Sequence, residues 1–363
     1  VRGTDIEYFI CDAHFLSFIF INRLSISKII HAPLITSTTL MTLSVPLSAQ
    51  LSTQLSVLNH RHVVSSPSTN SELIDAIRDS TLCADKVHLL TAETQTAGRG
   101  QRERSWQSPR GNVYLSLYHP VQMPVSGLLS LIIGVELAKM PVIQMLNKQL
   151  QAQGLTPIGV KWANDLGFYN TQETDKNTQE TDENLIYFSK LAGILIEPVW
   201  RASKLVGVVM GVGLNVKATP VLTTKTCEGM SYQALSLQDI VEMTAQTIPV
   251  QASNSPLIEL PSLEAIYQQI SQALMAAMTC FEHIATEKKL AQTDYMDNFL
   301  QQFDAMDALA GLRLRVTQNH NGEPQIINGH ACGIDTQGCL QLRQDNGKLA
   351  ALFTGRIDVI GHA

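Results

Sequence analysis

The chain carries little charge and no basic excess. Asp, Glu, Lys and Arg make up 16% of its 363 residues, and 26 Lys plus Arg face 32 Asp plus Glu, a formal net charge of -6; the pI is about 5.9. That balance argues against a protein that coats nucleic acid or an anionic membrane, and leaves room only for a local basic patch. Cysteines are few: Cys11, Cys83, Cys227, Cys280, Cys332 and Cys339 are scattered, with no C-x-x-C pair and no metal-ligand spacing. A disulfide scaffold is excluded and a zinc finger nearly so. The thiols read as those of a reducing compartment, and a cytoplasmic location is expected. Long apolar runs are missing as well. FLSFIFI, residues 15–21, falls far short of the roughly 20 residues that span a bilayer, and no membrane partner is expected.

Apolar material is plentiful: 45% of residues are hydrophobic, sufficient for a sizeable core. The length exceeds the roughly 250–300 residues at which single cores stop growing. Residues 1–60 read as an N-terminal extension, poorly ordered or partly non-native; the first methionine is Met41. A short membrane-associating or targeting segment is the alternative. From Ser65 the texture changes. Ser68, Thr69 and Asn70 offer helix caps ahead of Glu72, and the spacing of Leu73, Ile74 and Ile77 predicts a helix. Strands are predicted over 87–92, 112–118, 160–168, 191–198 and 205–216. Helical periodicity runs over 126–150, broken at Pro141, and again over 263–290. Residues 171–184 repeat TQETDKN as TQETDEN, polar and without a core face, and predict a mobile loop. Five short strands are predicted after Gly311, over 312–316, 325–327, 330–334, 339–342 and 349–353, and suggest a small barrel. The expected fold is α+β or α/β: a central mixed-sheet domain over 61–307 and a small C-terminal β-barrel over 308–363.

Four segments carry chemistry. The first is QTAGRGQRERSW, 95–106. Its glycines let backbone approach a ligand, and Arg99, Arg102 and Arg104 supply forked donors for phosphate or carboxylate. It fits neither a P-loop nor a dinucleotide fingerprint, and a solvated basic loop is the plain alternative. The second, KWAND (161–165), sets a lysine among apolar residues before Asn164 and Asp165, suited to a phosphate and a metal or ribose hydroxyl; an Asn-Asp pair alone more often marks a turn. The third, KLAGILIE (190–197), leads a lysine into a buried strand. The fourth, GVGLN (211–215), places small residues in a strand, for close approach of a flat ligand or for tight packing.

Together with STN (68–70), these ordered motifs resemble those of the biotin protein ligases, the biotin-[acetyl-CoA-carboxylase] ligases, from about Val63 to Ile360. The resemblance implies a catalytic domain of the biotin/lipoate ligase type with an SH3-like C-terminal barrel. It implies two steps: biotin and ATP, with Mg²⁺, give biotinyl-5′-AMP, and a lysine of a biotin carboxyl carrier domain then takes the biotin. Ser68, Thr69, Asn70, Gln95, Arg99, Gly100, Gln101 and Lys190 would hold biotin, with Lys190 and Arg99 catalytic. Arg102, Arg104, Trp106, Lys161, Asn164, Asp165, Gly211, Gly213, Leu214 and Asn215 would face ATP or the adenylate, and Asp165 would hold Mg²⁺. No tightly bound metal and no nucleic acid are expected; a homodimer is left open. Arg356, in TGRIDVIG, is a basic residue of the barrel that would reach the site, or else a surface charge.

The sequence departs from the family pattern in three places. Gln101 stands where a basic residue is usual, Glu103 where glycine is usual, and Ala163 where proline is usual. Some members carry an N-terminal winged helix that makes them repressors; residues 1–62 lack that pattern, so a ligase without repressor activity is expected. The alternatives are a lipoyl or octanoyl ligase or transferase of related fold, and a DNA-binding biotin sensor.

Overall fold

The computed structural model describes residues 59–169, 185–220, 232–246, 259–320 and 323–361. The readings of residues 1–58, as most of an extension, and of the repeat at 171–184, as a loop, fall outside them.

The first sheet is mixed, as the sequence predicts. Its strands are β1 (Asn59–Ser66), β2 (His88–Gln95), β3 (Val113–Pro120), β4 (Gly159–Lys161), β5 (Asp165–Tyr169), β7 (Phe188–Arg201), β8 (Lys204–Leu214) and β9 (Tyr232–Ala234), with β6 (Leu185–Ile186) belonging elsewhere. They run in the order β1-β2-β3-β8-β7-β5-β4, and β9 pairs with β7. β1 lies parallel to β2 and the central pairs are antiparallel. Val113, Leu115 and Leu117 on one face of β3 and Tyr114 and Tyr118 on the other are all buried, as are Val208, Val209 and Met210 of β8. Such β-branched and apolar runs suit strands covered on both faces.

Helix α1 (Thr69–Arg78) follows β1 directly, with Ser68 as its N-cap. Leu73, Ile74 and Ile77 face inward, as their spacing predicts. The long helical period at 126–150 resolves into α2 (Leu128–Ala138) and α3 (Pro141–Ala152), bent by 68°. Pro141 sits at the start of α3, where its missing N–H costs nothing. α2 is buried almost throughout. Among the described residues no single helix is long and apolar enough to cross a membrane; the bent α2–α3 pair passes that test on length and composition only. α4 (Leu237–Gln246), α5 (Leu263–Leu290) and α6 (Asp294–Met306) complete the helices described. α5 matches the predicted span; α4 and α6 are not predicted from sequence.

The second sheet has the order β13-β12-β11-β10-β14-β6. It is built from β10 (Arg313–His320), β11 (Glu323–Ile334), β12 (Leu340–Arg343), β13 (Leu349–Leu352) and β14 (Arg356–Ile360). Two details differ from expectation. Residues 325–327 and 330–334 form one strand, because Gly329 stays in register opposite Leu314 and does not turn the chain. The fifth C-terminal strand is β14, which pairs with β10 and also with β6. One contiguous buried cluster runs from Leu115 and Ile132 through Leu166 and Ile194 to Leu314 and Leu340, so both sheets share a core.

Candidate active site

A cavity of about 330 Å³ opens where the glycine-arginine loop meets β5, β7, β8 and the 353–357 segment of the second sheet. Six cations line it: Arg99, Arg102, Arg104, Lys161, Lys190 and Arg356. Among the described residues lining it, Asp165 is the single carboxylate. A chain of net charge -6 thus concentrates positive charge in one concave place, where low-dielectric walls strengthen its field.

Most sequence-nominated residues meet here. Ser68, Thr69, Asn70, Gln95, Gly100, Gln101, Trp106, Asn164, Gly211 and Gly213 also line the cavity. Leu214 and Asn215 do not. Leu214 is buried opposite Val113, and Asn215 donates to the Leu235 carbonyl at 3.1 Å while accepting from Asn112 at 3.3 Å.

Within the S-T-N motif, Thr69 and Asn70 are tied together through Ser116, while Ser68 Oγ caps α1 by accepting from the Ser71 N–H. The Thr69 backbone N–H donates to Gln95 Oε1 at 2.9 Å, and Gln95 Nε2 donates to Ser108 Oγ at 3.1 Å. Ser116 Oγ donates to Asn70 Oδ1 at 2.5 Å and lies 2.7 Å from Thr69 Oγ1. Asn70 Nδ2 donates to Glu197 Oε2 at 2.9 Å and to the Leu195 carbonyl at 3.3 Å. A closed network of this kind fixes side chains that cannot be left unpaired once buried.

The glycines of β7 and β8 have a specific use. A Cβ at Gly213 would stand 2.6 Å from Trp106 Cε2, one at Gly193 2.9 Å from Trp106 Cζ3, and one at Gly211 2.2 Å from Asn70 Oδ1. The flat group lying on the strands is therefore the protein's own indole, whose Nε1 is buried without a hydrogen-bond partner among the described residues. Lys190 Nζ sits 5.3 Å from the Trp106 ring centroid and 5.1 Å from that of Tyr232, and pairs with Asp165 Oδ1 at 2.7 Å. Both partners are mostly buried, so neither can lose the other cheaply. β5 and β7 set this pair, because Asp165 lies opposite Gly193 in the ladder.

Lys161 is more isolated. It is buried, with Nζ 4.7 Å from the Phe188 ring centroid and 5.8 Å from that of Tyr169. Burial pushes its ammonium down to about 8, with Asp165 opposing the shift and Lys190 adding to it. Arg356 is held by Asp358 at 2.9 Å. Arg102, at φ 57°, donates to Thr354 Oγ1 across to the second sheet. Cys83 is exposed and takes no part in the lining.

Mg²⁺ is usually held by one or two carboxylates together with substrate phosphates. Among the described residues no group of three His, Cys, Asp or Glu side chains could hold an ion. The Asp165 carboxylate is the lining group that could hold a cation arriving with a nucleotide.

Sequence reasoning overlooked Glu197 as an individual residue, along with Ser116, Tyr232 and Phe353. Glu197 ends the KLAGILIE motif, and its position there gives no sign of a partner. The other three lie outside every motif, and only the strand pairing and the second sheet bring them in.

A mixed sheet with a cation-lined cavity over its glycine-bearing strands suits the binding of anionic ligands. The family model for the biotin/lipoate A/B protein ligase family matches residues 62–215. The bifunctional ligase/repressor BirA of Salmonella typhimurium is 29% identical over 284 residues, 77% of this chain and 67% of that protein. Its counterpart from Escherichia coli is 27% identical over 281 residues, with the same coverage. In fold the chain is similar to the biotin protein ligase from Aquifex aeolicus in complex with biotin and ATP. That likeness has a TM-score of 0.50 and 16% identity, over 83% of this chain and 98% of the other. Over residues 62–215 the chain is similar to the biotin/lipoate protein ligases, and its likeness to these relatives supports a ligase of the biotin protein ligase type.

Proposed function

We propose that the protein joins biotin to ATP as biotinyl-5′-AMP and then passes biotin to a lysine of a biotin carboxyl carrier domain. One observation carries the reading: among the described residues, six cations and one carboxylate line the cavity, in a chain similar to proteins named ligases. Two anions, a carboxylate and a triphosphate, must come into contact, and fixed cations in a water-poor site lower that barrier most. Biotin's carboxylate oxygen attacks the α-phosphorus and pyrophosphate leaves. The carrier amine then attacks the acyl carbon, loses a proton, and AMP departs. No enzyme nucleophile is required.

In this reading Lys190 and Arg99 attend the biotin carboxylate, while Lys161, Arg102, Arg104 and Arg356 face the phosphates. Asp165 keeps Lys190 in place and would be the protein ligand of Mg²⁺, which would supply additional charge to the phosphate oxygens. Trp106 covers the adenylate and keeps water from the anhydride. Residues 61–307 would form the catalytic domain and 308–363 the accessory one; a cytoplasmic location belongs to the same proposal.

The test is incubation of the full chain with labelled biotin, ATP, Mg²⁺ and a carrier domain, followed by mass spectrometry. A biotinyl-AMP species and a biotinylated carrier are expected, with both reduced at least about a hundredfold by Lys190→Ala. Labelling of the carrier by lipoate in place of biotin, or no adenylate at all, overturns the proposal.

A further inference from the structure

Glu197 joins two of the nominated residues through one oxygen. Its Oε2 accepts from Asn70 Nδ2 at 2.9 Å and from Arg99 Nη2 at 2.6 Å. The two donors differ in how firmly they are held. Asn70 is only 4% exposed, and Ser116, the Leu195 carbonyl and the space left by Gly211 fix its amide. Glu197 stands on β7 opposite Val209. Carboxylate and amide are thus set by the sheet before the loop is considered.

Arg99 comes from the loop at the cavity mouth. That loop closes on itself through the Arg99–Ser105 bridge, with Gly100 N–H donating to the Arg104 carbonyl at 2.7 Å and Trp106 N–H to the Gly98 carbonyl at 2.8 Å. The Arg99 side chain is 41% exposed and that of Glu197 24%. An exposed ion pair normally contributes little, since two flexible chains must be ordered. Here one partner is already ordered, and the cost falls on Arg99 alone.

We propose that Glu197 is a positioning residue: pinned by buried Asn70, its carboxylate holds the Arg99 guanidinium and with it the 98–106 loop at the mouth of the cavity. On this reading Asn70 acts through Glu197 and does not touch the ligand with its amide. The kinetic consequence rests on the function proposed above; the effect on the loop does not.

The experiment uses the full chain as wild type, Glu197→Gln, Arg99→Ala and the double variant. Without ligand, trypsin cleavage at the Arg104–Ser105 bond reports loop opening. Each single variant is expected to be cut about fivefold faster, and the double variant no faster than Arg99→Ala, because coupled residues are not additive. With biotin and ATP, Glu197→Gln is expected to raise KM for biotin about tenfold in the wild-type background and less than about twofold in the Arg99→Ala background.

Unchanged cleavage in Glu197→Gln overturns the proposal, as does a full extra effect in the double variant. A fall in KM for biotin also overturns it, since Glu197 would then compete with the substrate's anion. Arg99 lies on the surface loop, so Arg99→Ala tests the latch even if Glu197→Gln fails to fold; wild-type cleavage rates in it overturn the idea. If the wild-type chain makes no adenylate, the functional reading fails, and the protease comparison alone decides the latch.

Discussion

Lys161 illustrates the cost of a cation placed for chemistry. Burial drives its ammonium from the usual 10.5 to about 8. Between about pH 8 and 10.5 the unfolded chain therefore binds the proton more fully than the folded one, and stability rises with pH in that window. The penalty is fully present below about pH 8 and is of order 3 kcal/mol. Lys161→Met is expected to raise stability at pH 7 by roughly 1–3 kcal/mol and to flatten this window, measured by urea unfolding at several pH values. The same change should lower adenylate formation about thirtyfold or more. In the wild-type enzyme, kcat/KM for ATP should fall as pH rises through about 8, because the free site loses this charge. Trp106 offers a second test. Gly213→Ala would set a methyl 2.6 Å from its ring, and about 1–3 kcal/mol of overpacking is expected. A red-shifted indole emission with weaker adenylate retention would report the displaced ring; an unchanged spectrum would deny the packing.

At the scale of elements, the connection from α6 to β10 holds a poorly satisfied carboxylate. Asp307 accepts from the Leu309 N–H at 2.9 Å, while its Oδ2 is buried without a hydrogen-bond partner among the described residues. Burial pushes the carboxyl up to about 6; the Leu309 bond opposes this and Asp304 adds to it. Its folded value thus lies above the unfolded one of about 3.9. The folded chain holds the extra proton between about pH 4 and 6, so this group's contribution is present below about pH 4 and lost as pH rises through 6. Asp307→Asn is expected to stabilise the protein at pH 7 by about 1–2 kcal/mol and to remove the slope between pH 4 and 6. Melting temperatures across that range would check it. The periodic elements were legible beforehand. Leu73, Ile74 and Ile77 announced α1, and the period from 263 to 290 gave α5 at its full length. β14 was hidden, because RIDVI reads as a strand only once β10 and β6 flank it. α4 escaped for a similar reason, its apolar face being short and set between stretches without periodicity.

For the whole molecule, the two sheets stand or fall together. Trp162 Nε1 donates to the Gly338 carbonyl at 2.9 Å, Ala308 N–H to the Val160 carbonyl at 2.9 Å, and β6 from the middle of the chain completes the second sheet. Leu314, Leu340 and Leu342 are fully buried in the shared core, each contributing roughly 1.5–3 kcal/mol by burial. A chain ending after residue 307 is expected to lose cooperative thermal unfolding and to bind a hydrophobic dye, whereas an intact transition would show that the first sheet folds alone. The second sheet also brings Arg356 and Phe353 to the cavity, which makes it part of the site and not an appendage.

The linear order of residues already determined the motifs, the mixed α+β pattern and the identity of most cavity residues, because spacing and residue type are local properties. Tertiary structure decided which cations are paired, since Arg99 of the loop met Glu197 of β7 and Lys190 of β7 met Asp165 of β5. It also decided that the glycines of β7 and β8 seat Trp106 and Asn70. Partnership between side chains depends on strand register and burial, and neither exists until the sheet has formed.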